Sequence, residues 1–114
     1  MSIVNITVEN DADFYRSFRY QTLGGVPIDI TGAEMVMMLR RQASDAVAVM
    51  RLGTDTGEIF LTDPMNGTFS VRILQQELER LGTGEFEHSN VMTMGGTKKS
   101  IWTGVFTNNP GASR

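Results

Sequence analysis

Ala33-Glu34-Met35-Val36-Met37-Met38-Leu39-Arg40-Arg41 is the stretch on which the fold turns. By intrinsic propensity it would make a tolerable helix. Its pattern argues for a strand. Ala33, Met35, Met37 and Leu39 fall on one face of a pleat, with Glu34 and Arg40 on the other. Gly32, just ahead of it, offers no side-chain oxygen to cap a helix N-terminus. Read as a strand, the run is apolar on both sides, because Val36 and Met38 share the face opposite the predicted core.

The segments around it keep the same period of two, broken by turn chemistry every ten residues or so. Towards the N-terminus, Val4, Ile6 and Val8 alternate with Asn5 and Thr7, and Glu9 to Asp13 is a polar turn. Phe14 and Phe18 then oppose Tyr15, Ser17 and Arg19. Leu23-Gly24-Gly25 is a turn, and Val26 to Gly32 is an extended segment kinked at Pro27. Towards the C-terminus comes a short apolar run, Ala46 to Leu52, and a turn-rich Gly53 to Gly57. Ile59 and Leu61 alternate with Phe60 and Thr62. Asp63-Pro64-Met65-Asn66-Gly67 is a turn, and Phe69, Val71 and Ile73 face inward from the next strand. The period changes only at Leu74, Leu78 and Leu81, which predict a helix of two turns closed by Gly82 and packed on one end of the sandwich. Glu85 to Met92 and Ser100 to Thr107 are the last strands, joined by a hairpin at Gly95-Gly96. The pattern predicts an all-β, two-sheet antiparallel sandwich with one short helix near residues 74–81. It forms a single domain over residues 1–107, followed by a flexible tail at 108–114.

Composition narrows the function. The chain has 114 residues and no cysteine, which excludes a disulfide framework or a thiolate zinc site. The net charge of -3 and pI of about 5.0, with Arg40-Arg41 and Lys98-Lys99 the only basic doublets, argue against a nucleic-acid partner. No secretory signal is recognisable, and no apolar run approaches the roughly 20 residues of a membrane helix.

Candidate chemistry fails on inspection. His88 is the sole histidine and shares a pleat face with Phe86, so it reads as a packed side chain rather than a general base. Glu9, Asp11, Asp13 and Asp29 lack the spacing of a calcium loop. Gly95 to Ser100 lacks the spacing of a phosphate loop, and a strand follows it instead of a helix. Trp102 is expected to pack inside beside Phe106. No nucleophile and base can be assembled, so no catalytic, cofactor or metal residues are assigned and the chain reads as a non-enzyme. Val36 and Met38 remain as interaction candidates, because they would leave an apolar patch if nothing covers their face.

The order of these motifs resembles a group of small phage structural domains. It is most similar to the N-terminal domain of baseplate upper proteins and to related tail and head accessory proteins. A Gly-Gly turn precedes Pro27-Ile28-Asp29-Ile30-Thr31-Gly32, similar to that group's Pro-x-Asp-Leu-Thr-Gly step into an alternating strand. Gly57 to Leu61 leads to Asp63-Pro64 and then Gly67-Thr68-Phe69-Ser70-Val71. Gly84-Glu85-Phe86 follows the leucine segment, and Gly104-Val105-Phe106 follows the glycine hairpin. The resemblance runs from about Phe14 to Thr107. It implies an immunoglobulin-like sandwich that joins other virion proteins, or itself as a homo-oligomer, in a phage or prophage particle assembled in the bacterial host cytoplasm. It supplies no catalytic residues. From the residues alone, the rival reading is a soluble ligand-binding module that takes a sugar or peptide on a sheet face.

Overall fold

The computed structural model describes residues 2–113. Nine strands form two packed sheets. They are β1 (Ser2–Ile3), β2 (Ile6–Glu9), β3 (Phe14–Arg19), β4 (Glu34–Arg40), β5 (Met50–Gly53), β6 (Ile59–Asp63), β7 (Thr68–Ile73), β8 (Gly84–Met94) and β9 (Thr97–Asn109). The larger sheet runs β1-β9-β8-β4-β5, with β2 also on β9, and the smaller runs β3-β7-β6. This is the strand order of an immunoglobulin-like sandwich.

Residues 33–41 do form a strand. Met35, Met37 and Leu39 are fully buried and Ala33 nearly so, while Val36, Met38 and Arg40 are half-buried on the other face. β4 is an interior strand of its sheet, paired with β5 on one side and β8 on the other, so both edges have backbone partners. Those ladders override the helical propensity of methionine and leucine. The core closes across the sheets through Trp102 of β9, whose ring centroid lies 4.7 Å from Phe18 and 5.6 Å from Phe69. A bulge in β9 skips Ile101 between the Trp102–Asn90 and Ser100–Val91 pairs, which lets both Ile101 and Trp102 turn inward. Both hairpin glycines, Gly95 and Gly96, take positive φ, as a tight two-residue turn requires.

Several expectations need correction. The N-terminal strand is parallel to β9, not antiparallel, and its ladder lapses at Val4-Asn5. From the apolar run at Ala46 to Leu52 only the end is strand, with Val47 and Val49 exposed in the preceding loop. Helix α1 spans Gln75–Leu81 and buries Leu78, but Leu74 is its exposed N-cap. Leu74 holds an extended backbone there, and the cap bond comes from Asp13 Oδ1, which accepts from the Gln75 N–H at 2.7 Å. β9 runs past Thr107 to Asn109. Buried Asn108 donates through Nδ2 to the carbonyls of Leu78 and Gly82 at 2.8 and 3.0 Å, which ties the helix end to the sheet. Beyond the strand, Gly111 N–H donates to Asn10 Oδ1.

Candidate interaction surface

The outer face of the large sheet carries the site. Because the strands pair in register, residues far apart in sequence form rows across it. Ile3, Thr103, Ser89, Met38 and Arg51 make one row, and Ser100, Val91, Val36 and Gly53 another. Val105, Glu87 and Arg40 make a third. The twist of the sheet and the loop after β4 shape this face into an open groove of about 810 Å³. Val36, Met38, Val91, Val105 and Ile3 give it an apolar floor. Val36 and Met38 therefore stand where the pleat pattern placed them.

Charge gathers at the rim. Arg40, Arg51 and Lys98 border the groove, with Glu87 as the acid among its lining residues. Arg51 is held in a two-pronged ion pair by Asp55 at 3.2 Å, and Arg40 donates to the Asp45 carbonyl at 3.1 Å. The Glu87 carboxylate accepts from the Ala43 N–H, which pins the loop over one end of the groove.

The sequence alone did not connect Ile3, Arg51, Val91, Lys98 or Val105 to this site. Each has the outward parity of its own strand, and that parity was the available signal. Which of them are neighbours depends on strand order and on the β9 bulge.

His88 is core, as expected, at 4% exposure. Its Nε2 lies 2.8 Å from the Val4 carbonyl, and its Nδ1 accepts from the Trp102 indole N–H at 3.3 Å. Burial pushes its pKa below the ordinary value of 6.5, partly opposed by the bond to Val4. Both ring nitrogens are thus engaged in holding the fold together.

The acidic side chains near the first turn also have structural duties. Asp13 caps α1, Asp11 accepts from the Ser113 N–H, and Asp29 accepts from the backbone and hydroxyl of Thr31. Among the described residues no group of three His, Cys, Asp or Glu is placed to hold a metal. No helix among them is long and apolar enough to cross a membrane.

No protein-family profile matches the chain. No curated protein matches it either. Solved structures do. The N-terminal domain of phage TP901-1 ORF48 is 17% identical, with a TM-score of 0.53 over 95% of this chain and 85% of that one. Murine CRIg is 12% identical, with a TM-score of 0.46 over 94% and 92%. Dpr1 IG1, in its complex with DIP-eta IG1, is 14% identical, with a TM-score of 0.45 over 95% and 90%. At 17% identity the first likeness establishes a shared fold. The resemblance read from the order of turns and strands is borne out at that level: this chain has the fold of a phage domain.

Proposed function

We propose that the chain is a non-enzymatic structural protein of a phage or prophage particle. It acts by protein–protein assembly, in the tail, the baseplate or as a head accessory, through the outer face of its large sheet. The observation that carries this reading is the groove, with half-buried Val36 and Met38 on its floor and cations on its rim, on the face of the large sheet turned away from the small one. An apolar centre ringed by polar groups is the anatomy of a protein interface. The particle as destination rests on the resemblance of the motif order to phage structural domains, and assembly in the host cytoplasm follows from that destination.

A domain of this kind gains affinity by repetition in a symmetric particle, so a modest contact at each copy suffices. Central apolar side chains at such a contact typically contribute more than about 1 kcal/mol each on truncation. Val36→Lys and Met38→Lys should therefore weaken association with virion partners, or with a second copy, while leaving the fold intact. Mass spectrometry of purified particles and sizing of the two variants test this. A chain absent from particles and monomeric at high concentration would overturn it.

One observation favours the second reading, a soluble ligand-binding module. The groove's 810 Å³ falls within the roughly 300–1,000 Å³ of small-molecule sites. Its described lining holds no Phe, Tyr or Trp for a sugar to stack on, and the His88 ring is buried, which places a peptide ahead of a carbohydrate as the occupant.

A further inference from the structure

The chain's one histidine and one tryptophan are hydrogen-bonded to each other. An indole N–H can only donate, so His88 Nδ1 must present a lone pair to it. A neutral imidazole then carries its proton on Nε2, and that proton points at the Val4 carbonyl, which can only accept. The two contacts together admit one protonation state, the neutral Nε2–H tautomer.

The Val4 carbonyl is available because the N-terminal strand departs from its ladder at that residue. Val4 N–H still bonds the Thr103 carbonyl at 2.8 Å. In a regular parallel ladder the Val4 carbonyl would accept from Val105 N–H. Here Asn5 Oδ1 takes that N–H at 3.0 Å, and the carbonyl turns towards the core. It does so over Gly104, which pairs with His88 across β8 and β9. Any Cβ at Gly104 would collide with the Val4 carbonyl. Glycine at 104, histidine at 88 and asparagine at 5 thus form one device.

We propose that Trp102, His88 and Val4 form a proton-sensitive latch that holds the start of the N-terminal strand on β9. A second proton on the ring would set an N–H against the indole N–H. The pair must then separate; Nε2–H still faces the Val4 carbonyl, but the ring that carries it is no longer fixed by Trp102. The other ties of this segment are the two-residue β1 ladder, the Val4 N–H bond to Thr103, the Asn5 bond to Val105 and the partly buried Val4 side chain, while Ile3 is 76% exposed. Ile6 and Val8, both buried, keep β2 in place.

Among the described residues no charged group faces the ring to offset this. Phe106 meets it edge-on, and Leu39 lies opposite in β4. Glu87 and Arg40 lie on the outer face. From the small sheet, Phe18 and Phe69 meet Trp102, and Arg16 of β3 lies over the Phe18 ring.

The folded pKa of His88 is depressed. The latch is therefore fully closed above about pH 6.5 and is lost as pH falls through the folded value. Ile3 and Asn5 also line the groove, so opening the latch removes part of its lining. That consequence rests on the assembly reading, whereas the latch itself does not.

NMR on the full chain tests it, with unambiguous assignment because there is a single imidazole. The expected results are an Nε2–H tautomer near neutral pH and a ring titration below 6.5. Val4 amide exchange, referenced to the His88→Gln variant, should rise about tenfold per pH unit between those limits. The Val8 amide should stay protected. His88→Gln keeps a neutral donor and should abolish the acid response. If that variant does not fold, coincidence of the wild-type ring titration with Val4 exchange decides. An Nδ1–H tautomer, an ordinary ring titration, an acid response unchanged in His88→Gln, or simultaneous loss of Val8 protection would each overturn the latch. None of these results depends on whether the chain enters a particle.

Discussion

Met37 and Met38 are neighbours in β4 with opposite fates, and truncating each to alanine measures the register directly. Met37 has no exposed surface and lies in a row with Leu52 and Asn90. Removing its thioether chain from a packed core forfeits the transfer energy and leaves a cavity, together about 2–5 kcal/mol. A domain of this size has about 5–15 kcal/mol of net stability. A loss near 3 kcal/mol would lower Tm by roughly 10–15 °C. Met38 is half-buried over the groove, where solvent fills any space left behind. Full burial of such a side chain stabilises by about 1.5–3 kcal/mol, so half burial with no cavity predicts a loss of about 0.8–1.5 kcal/mol. Urea unfolding followed by Trp102 fluorescence gives both values, with equal m-values as the check on a common unfolded state. A one-residue slip would exchange the two faces. Equal losses, or a larger loss at Met38, would therefore refute the register and remove the groove's apolar floor with it.

Gly67 should tolerate no side chain. It closes the Pro64–Asn66 turn at φ 71°, and a Cβ there would press on the carbonyls of Tyr20 and Ile28. Gly67→Ala should lower thermal stability by more than the about 1–2 kcal/mol of left-handed backbone alone. Gly25→Ala, at φ 84° with open space around it, supplies that reference value, and equal losses would show that the contact is harmless. Asn108→Ala removes the donor to two carbonyls at the end of α1, and should cost about 1–3 kcal/mol. Amide exchange in residues 75–81 should rise before exchange in β8 does, and a uniform rise would count against a local role.

Which features were legible in the sequence follows from the range of the forces that set them. Pleat parity is a local property, so Met35, Met37 and Leu39 inside and Val36 and Met38 outside could be read from alternation alone. The same holds for the Asp63 to Gly67 turn, the glycine hairpin and the inward face of Phe69, Val71 and Ile73. Where the reading failed, a partner distant in sequence had decided the outcome. Leu74 has the spacing of a buried helical residue, yet Asp13 captures the Gln75 N–H and makes Leu74 the exposed cap. Asn108 belongs to a stretch with the composition of a loose tail, but Leu78 and Gly82 offer carbonyls that its amide satisfies.

What the sequence determined by itself was the class of the protein: strands from period two, turns from glycine and proline, no thiol chemistry, and two apolar side chains facing away from the core. The order of strands across the large sheet, the parallel seat of the N-terminus and the groove came only from tertiary structure. Alternation states which face of its own strand a residue occupies and says nothing about which strand lies beside it. Ile3, Ser89, Met38 and Arg51 became neighbours through ladder hydrogen bonds whose register was set by closing the core around Trp102. The latch shows the same division. Glycine, histidine and asparagine at 104, 88 and 5 carry no mutual signal in the chain, and they meet only when β9 sets the Val4 carbonyl against the His88 imidazole over Gly104 and the Val105 N–H against the Asn5 side chain.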